Sequence, residues 1–216
     1  MINNFSIILE EASAEIVQKK SRFIATAIPI KNEDEALLFI AQFNKKYWDA
    51  KHNCYAYILG QSKEIKRFSD DKEPSGTAGK PILEVIEGSN LTNTLIIVTR
   101  YFGGILLGTG GLVRAYSQAA KEALNNAKVY PASSGFAVSF TCDYSSSQKV
   151  LHIISALEVP IISSQYSEHV SFSLAVSEEK IDSLKEKITE ATAASANFNI
   201  SEKINFCIQD SKAIIL

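Results

Sequence analysis

Apolar and polar positions along the chain change period several times, and each change marks an element. Residues 13–28 alternate imperfectly about the polar pair Lys20 and Ser21, SAEIVQK then RFIATAI, which predicts two strands joined by a turn. From Glu33 to Trp48 the apolar residues Ala36, Leu37, Phe39, Ile40, Phe43 and Tyr47 recur at helical spacing, behind the acids Glu33, Asp34 and Glu35. Residues 54–59 and 65–68 read as a second strand pair. The polar stretch 69–79 reads as a loop, and Pro81 opens a helix carrying Ile82, Leu83, Val85 and Ile86 that Gly88 ends. The β-branched run 94–101 predicts a buried strand, followed by the glycine-rich GGILLGTGG and an amphipathic helix over about 112–127.

Residues 129–135, with Pro131 and several small residues, read as an interdomain linker. Beyond them the order is strand 136–143, helix 146–157, strands 160–167 and 170–176, helix 178–193 and strand 199–208. That βαββαβ order is the ferredoxin-like split, able to cover one face of its own sheet. The expected class is therefore α+β in two domains, over 1–131 and 135–210. The first is expected to hold a mixed sheet with helices on one face.

Length, 216 residues, suits two small domains. The longest apolar runs, 95–98 and 213–216, fall far short of the roughly 20 residues a spanning helix needs. No membrane span is expected. The start, MINNFSIILEEASAE, lacks the basic region and cleavage site of a secretory signal, so a cytoplasmic location is expected. Cys54, Cys142 and Cys207 are scattered and odd in number, and His52, His152 and His169 form no metal-ligand spacing. Reduced core cysteines, no metal and no cofactor are expected. Residues 1–130 carry net charge +2 and all four arginines, whereas 131–216 carry −4. An anionic partner would thus meet the N-terminal part.

Two stretches concentrate glycine, arginine and acids, SDDKEPSGTAGKP at 69–81 and VTRYFGGILLGTGGLVRAY at 98–116. In the second, Gly103, Gly104, Gly108, Gly110 and Gly111 permit close backbone approach, and the loop feeds a helix start whose free amides favour an anion. Arg100 and Arg114 would add fork-shaped donors for phosphate. The alternative is that the glycines serve turns and packing while the arginines pair with Asp70, Asp71 or Glu73. The spacing matches neither GxGxxG nor a P-loop, so nucleotide hydrolysis is not indicated. In the first stretch, Asp70, Asp71 and Glu73 suit acid–base work or structural pairing, Thr77 a helix cap, and Lys80 a second anion contact. Ser75 lies outside any GxSxG context. His52 enters a strand and either faces the cleft or sits at an edge. Arg22 with Phe23 suggests an Arg-plus-aromatic surface, or simple packing of the ring.

SRF at 21–23, AKHNCYAY at 50–57 and the two stretches above, taken together and in order, closely resemble the YigZ/IMPACT family. The resemblance implies an N-terminal domain like the second domain of ribosomal protein S5 and a C-terminal domain similar to the last domain of elongation factor G. Both point toward RNA and the ribosome, and the family's eukaryotic members regulate translation through a kinase-activator protein partner. Lys72 stands where the family commonly has glycine, and Leu106 where its GGIKLG pattern has lysine.

The expected function is a non-enzymatic translation- or stress-associated factor binding RNA or the ribosome through Arg22, His52, Lys80, Arg100, Arg114 and the glycine loop. One alternative is an enzyme acting on a small phosphorylated or acyl substrate, with Asp71, Glu73 and His52 as acid and base. The other is a protein-interaction module, marked by a broad exposed apolar patch.

Overall fold

The computed structural model describes residues 5–216, which divide into two compact units, Phe5–Tyr130 and Pro131–Leu216. In the first unit the order is β1 (Ser6–Ile8), β2 (Ala12–Gln18), β3 (Ser21–Pro29), α1 (Glu33–Lys46), β4 (His52–Leu59) and β5 (Ile65–Ser69). There follow α2 (Gly79–Gly88), β6 (Thr94–Tyr101), α3 (Thr109–Asn125) and β7 (Val129–Pro131). Asn32 caps α1 by accepting from the Glu35 amide at 2.9 Å, and three acids and two lysines at its opposite ends suit the helix dipole.

The main sheet runs β2-β3-β6-β4-β5, and every neighbouring pair is antiparallel. This corrects the expectation of a mixed sheet. The helices also lie on both faces rather than one. Along β6, Ile96 and Val98 pack with Ile82, Ile86, Leu112, Ala119 and Ala123 of α2 and α3, while Leu95 and Ile97 pack with Ala36, Ile40 and Phe43 of α1. A strand buried on both faces needs apolar residues at successive positions, which is why β6 does not alternate. β1 and β7 form a separate two-stranded ribbon.

The second unit contains β8 (Ser133–Cys142), α4 (Tyr144–Ala156), β9 (Ile161–Tyr166), β10 (Val170–Val176), a 3-10 turn (Glu178–Lys180), α5 (Ile181–Ala191), β11 (Asn199–Gln209) and β12 (Lys212–Ile215). Both helices pack on one core: Val150 and Ile154 of α4 and Leu184 and Ile188 of α5 join Val138, Phe140, Val170, Phe172 and Leu174 of the sheet. The strand β12, unforeseen from the sequence, pairs with β11 and meets β9 at Lys212 and Ile161, closing the five strands into a barrel. The boundary between the two units, at Tyr130 and Pro131, falls within the linker expected over 129–135, but that segment is mostly strand. Val129–Pro131 is a strand, and Ser133, Ser134 and Gly135 open β8 opposite Phe206, Asn205 and Ile204 of β11. The cysteines are free and buried, and no described helix is long and apolar enough to cross a membrane.

Between β6 and α3 the chain passes very close to the β2–β3 turn. A Cβ on Gly103 would lie 2.0 Å from the Lys20 carbonyl carbon and 2.4 Å from the Ser21 amide nitrogen, both backbone atoms, whereas one on Gly110 would meet nothing within 4 Å. Gly103→Ala is therefore expected to cost about 2–3 kcal/mol in urea denaturation. Gly110→Ala, in the first turn of α3, is expected to be neutral or to stabilise by up to about 1 kcal/mol. Equal effects of the two substitutions would refute the close approach.

Candidate functional site

The two stretches rich in glycine, arginine and acids meet, and what joins them is a buried carboxylate. Glu73, in the loop between β5 and α2, accepts from Arg100 Nη1 at 2.5 Å and from the Tyr116 hydroxyl at 2.9 Å, all on its Oε1. Both side chains of the ion pair are about 5% exposed. His52 Nε2 lies 3.6 Å from the same oxygen, and its Nδ1 donates to the Asp71 carbonyl at 2.7 Å. Strand register explains the convergence: His52 on β4 and Phe23 on β3 both stand opposite Arg100 on β6, so all three share the sheet face under α3.

The Arg100 guanidinium also sits 5.4 Å from the Phe23 ring centre and 5.6 Å from that of Phe102, with Tyr116 edge-on to Phe23 at 5.1 Å. Its Nη2 reaches Ser21 Oγ at 3.4 Å, and its Nε is buried without a hydrogen-bond partner. The aromatic faces supply the electron density that water would otherwise give this cation. Cys54 lies within reach of the Asp70 carbonyl, at 3.1 Å, and of the Tyr116 hydroxyl, at 3.4 Å. Burial pushes the Cys54 thiol well above its ordinary range, and burial with the neighbouring Cys54 and Glu73 does the same to the Tyr116 hydroxyl. Both keep their protons at neutral pH.

The two aspartates serve backbone amides. Asp70 Oδ1 accepts from the amides of Ala78 at 3.0 Å and Gly79 at 2.8 Å, and Oδ2 from Gly76 at 2.8 Å, so it caps α2 from eight and nine residues away. Thr77, expected to be the cap, instead donates to the Pro74 carbonyl at 2.6 Å, because the helix begins beyond it at Gly79. Asp71 Oδ2 accepts from the Asn53 amide at 2.6 Å.

The sequence-selected cations thus separate. Arg100 and His52 face the interior, whereas Arg22, Lys80 and Arg114 are exposed. Arg22 pairs with Glu15 at 2.9 Å and lies over the Tyr101 ring, not that of Phe23, which is fully buried. Its pairing raises the guanidinium pKa and lowers that of Glu15. Lys80 projects from the first turn of α2. Arg114 folds back along α3, its Nε donating to the Gly110 carbonyl at 3.2 Å, and borders a groove of about 780 Å³ between α2 and α3 with Glu84, Gln118 and Lys121. Gly104 and Gly108 take positive φ, +82° and +72°, and Gly108 is the N-cap of α3, a backbone region that side chains disfavour. Gly110 and Gly111 form the first turn of α3, and the Gly103 amide donates to Ser21 Oγ. Sequence reasoning missed Tyr116, Cys54 and Ser21. Tyr116 lies four residues after Leu112 on the apolar stripe of α3, where it reads as packing alone.

A buried pair penalises the loss of one partner more than the loss of both. Glu73→Gln and Arg100→Met are each expected to cost about 3–5 kcal/mol in urea denaturation, and the double variant clearly less than their sum. Strict additivity would show that the pair is not coupled.

The Impact N-terminal domain model matches residues 19–124, and a domain of unknown function, DUF1949, matches residues 140–195. The IMPACT family member YvyE of Bacillus subtilis is 37% identical over 202 residues, 94% of this chain and 93% of that one. The IMPACT family member YigZ of Escherichia coli is 32% identical over 179 residues, 82% and 88% of the two chains. A crystal structure of a hypothetical protein, 30% identical, superposes with a TM-score of 0.59 over 92% of this chain and 98% of that one. Both domain models matched in order, with identity sustained along nearly the whole of a bacterial relative, establish that this chain belongs to the IMPACT family.

Proposed function

We propose that the protein is a non-enzymatic, translation-associated regulator that binds RNA or the ribosome through the exposed start of α3 and the cations around it. The observation that carries this reading is an asymmetry between two helix starts. Asp70 already occupies the first amides of α2, while α3 begins at Gly108 with no side-chain cap and no acid in its first turn. Its free amides, with exposed Arg114 folded over Gly110, suit a phosphate oxygen. Lys80 adds a second exposed cation on the first turn of α2. Arg100 and His52 act behind this surface, as part of what holds β6 and the loop in place.

Membership of the IMPACT family supports the translational assignment, and by the same resemblance a regulatory protein partner. The non-enzymatic reading is supported by the buried cluster, because Glu73 is taken up by Arg100 and Tyr116, Asp71 by the Asn53 amide, and His52 Nδ1 by the Asp71 carbonyl. Acid–base work on a small phosphorylated or acyl substrate needs these groups free. No cofactor is invoked. The domains 1–131 and 135–210 belong to the same reading, the first like the second domain of ribosomal protein S5 by family resemblance. The order β11-β8-β10-β9 with both helices on one core supports a ferredoxin-like second domain. An interaction module is favoured by one observation, the exposure of Ile105 and of Leu106, the latter where the family has lysine.

Filter binding of a ribosomal RNA fragment across a salt series tests the proposal. Lys80→Ala with Arg114→Ala is expected to weaken binding and to make the slope of log K against log salt shallower by about 1.4–1.8. Unchanged affinity and slope would overturn it.

A further inference from the structure

One end of the main sheet gathers exposed rings and cations beyond Lys80 and Arg114. The turn after α1 is tied to the end of β6: the Lys51 amide donates to the Arg100 carbonyl at 3.1 Å, and the Tyr101 hydroxyl donates to Asp49 at 2.9 Å. That turn presents Trp48, 81% exposed and the sole tryptophan of the chain. Phe102 is 40% exposed, with the ammonium of Lys51, just past that turn, 5.0 Å from its ring centre, and Arg22 lies 5.6 Å from the ring centre of Tyr101. The β2–β3 turn closes the same end, because Gly103 sits directly against Lys20.

Lys19 and Lys20 are the two residues of a hairpin turn whose flanks, Gln18 and Ser21, are paired, and both take positive φ, 44° and 65°. A two-residue turn of this type favours Asn-Gly, and lysine at both places strains the backbone. Asp210 and Ser211 make the same kind of turn between β11 and β12, so the turn's shape does not itself call for lysine, and the two lysines present their charge at its tip. Glu15 pairs with Arg22, and Asp49 accepts from the Tyr101 hydroxyl. Lysine is depleted in protein–protein interfaces, whereas exposed rings set among lysines and arginines suit stacked bases and their phosphates.

We propose that this sheet end is a stacking surface for single-stranded RNA, with bases on Trp48 and Phe102 and phosphates on Lys19, Lys20 and Lys51. The proposal rests on the RNA-binding reading and deepens it, naming an unpaired strand as the ligand and a second set of residues as its contacts.

The probe is decauridylate added to the full-length chain, read by Trp48 emission and by filter binding. Emission is expected to quench to saturation, with weaker binding at higher salt. Trp48→Ala should weaken decauridylate binding roughly tenfold or more. Lys19→Asn with Lys20→Gly should raise the thermal midpoint while lowering affinity and making the salt slope shallower by about 1.4, a combination that a purely structural role does not produce. Binding with unchanged Trp48 emission and undiminished affinity in both variants would overturn this inference while leaving RNA binding at the α3 start intact. A ten-base-pair RNA duplex bound as tightly as decauridylate would also overturn it. Failure of the chain to bind either probe or the ribosomal fragment would remove the RNA reading and this one together.

Discussion

The carboxylate of Glu73, buried against Arg100, is the constraint on which the first unit turns. A charge removed from water must be met by partners within reach, and here they come from separate parts of the chain: Arg100 from β6, Tyr116 from α3 and His52 from β4. Satisfying one carboxylate therefore fixes where the loop after β5, the central strand and the longest helix of this unit lie relative to one another. The rings of Phe23 and Phe102 complete the enclosure of the guanidinium, and Ser21 extends it to the Gly103 amide. This is how the acidic stretch and the glycine-rich stretch come to act as one structure.

That enclosure sorts residues of one chemical type into different roles. Arg100 is occupied inside, whereas Arg114 and Arg22 keep their guanidinium groups at the surface. The helix starts are sorted in the same way. Asp70 closes α2 from within the acidic loop, and α3 is left to begin on glycines with its first amides open. The β2–β3 turn, with two lysines at positive φ, lies beside the passage of Gly103. The result is an exposed start of α3 with Arg114 beside it, and a carboxylate, Glu73, held beneath the surface by Arg100 and Tyr116.

Most elements were legible because their periods are local. The stripe of α1, the β2–β3 alternation and the unbroken apolar run of β6 each report a secondary structure within a dozen residues or so. The strands β1 and β12 were not legible, being three and four residues long, too short to display a period. The segment 129–135 looked like a linker because small residues and a proline say nothing of a partner strand. Its pairing is supplied by β1 and by β11, far away in sequence. The two-sided burial of the main sheet was implicit in β6, yet only the positions of α1 on one face and α2 and α3 on the other reveal it.

By itself the sequence determined the α+β class, the order of most elements, the family likeness and the glycine-bearing stretch from Arg100 to Arg114 as a place of unusual backbone. The tertiary structure decided which of those residues face inward. Arg100 and Arg114 are alike as letters, and their difference lies in strand register and helix phase: one sits opposite Phe23 and His52 beneath a helix, the other on that helix's outer side. Twenty-seven residues separate Glu73 from Arg100, and a buried pair at that distance leaves no periodic trace in sequence. It exists because both strands and loops must bring every removed charge a partner once water is gone.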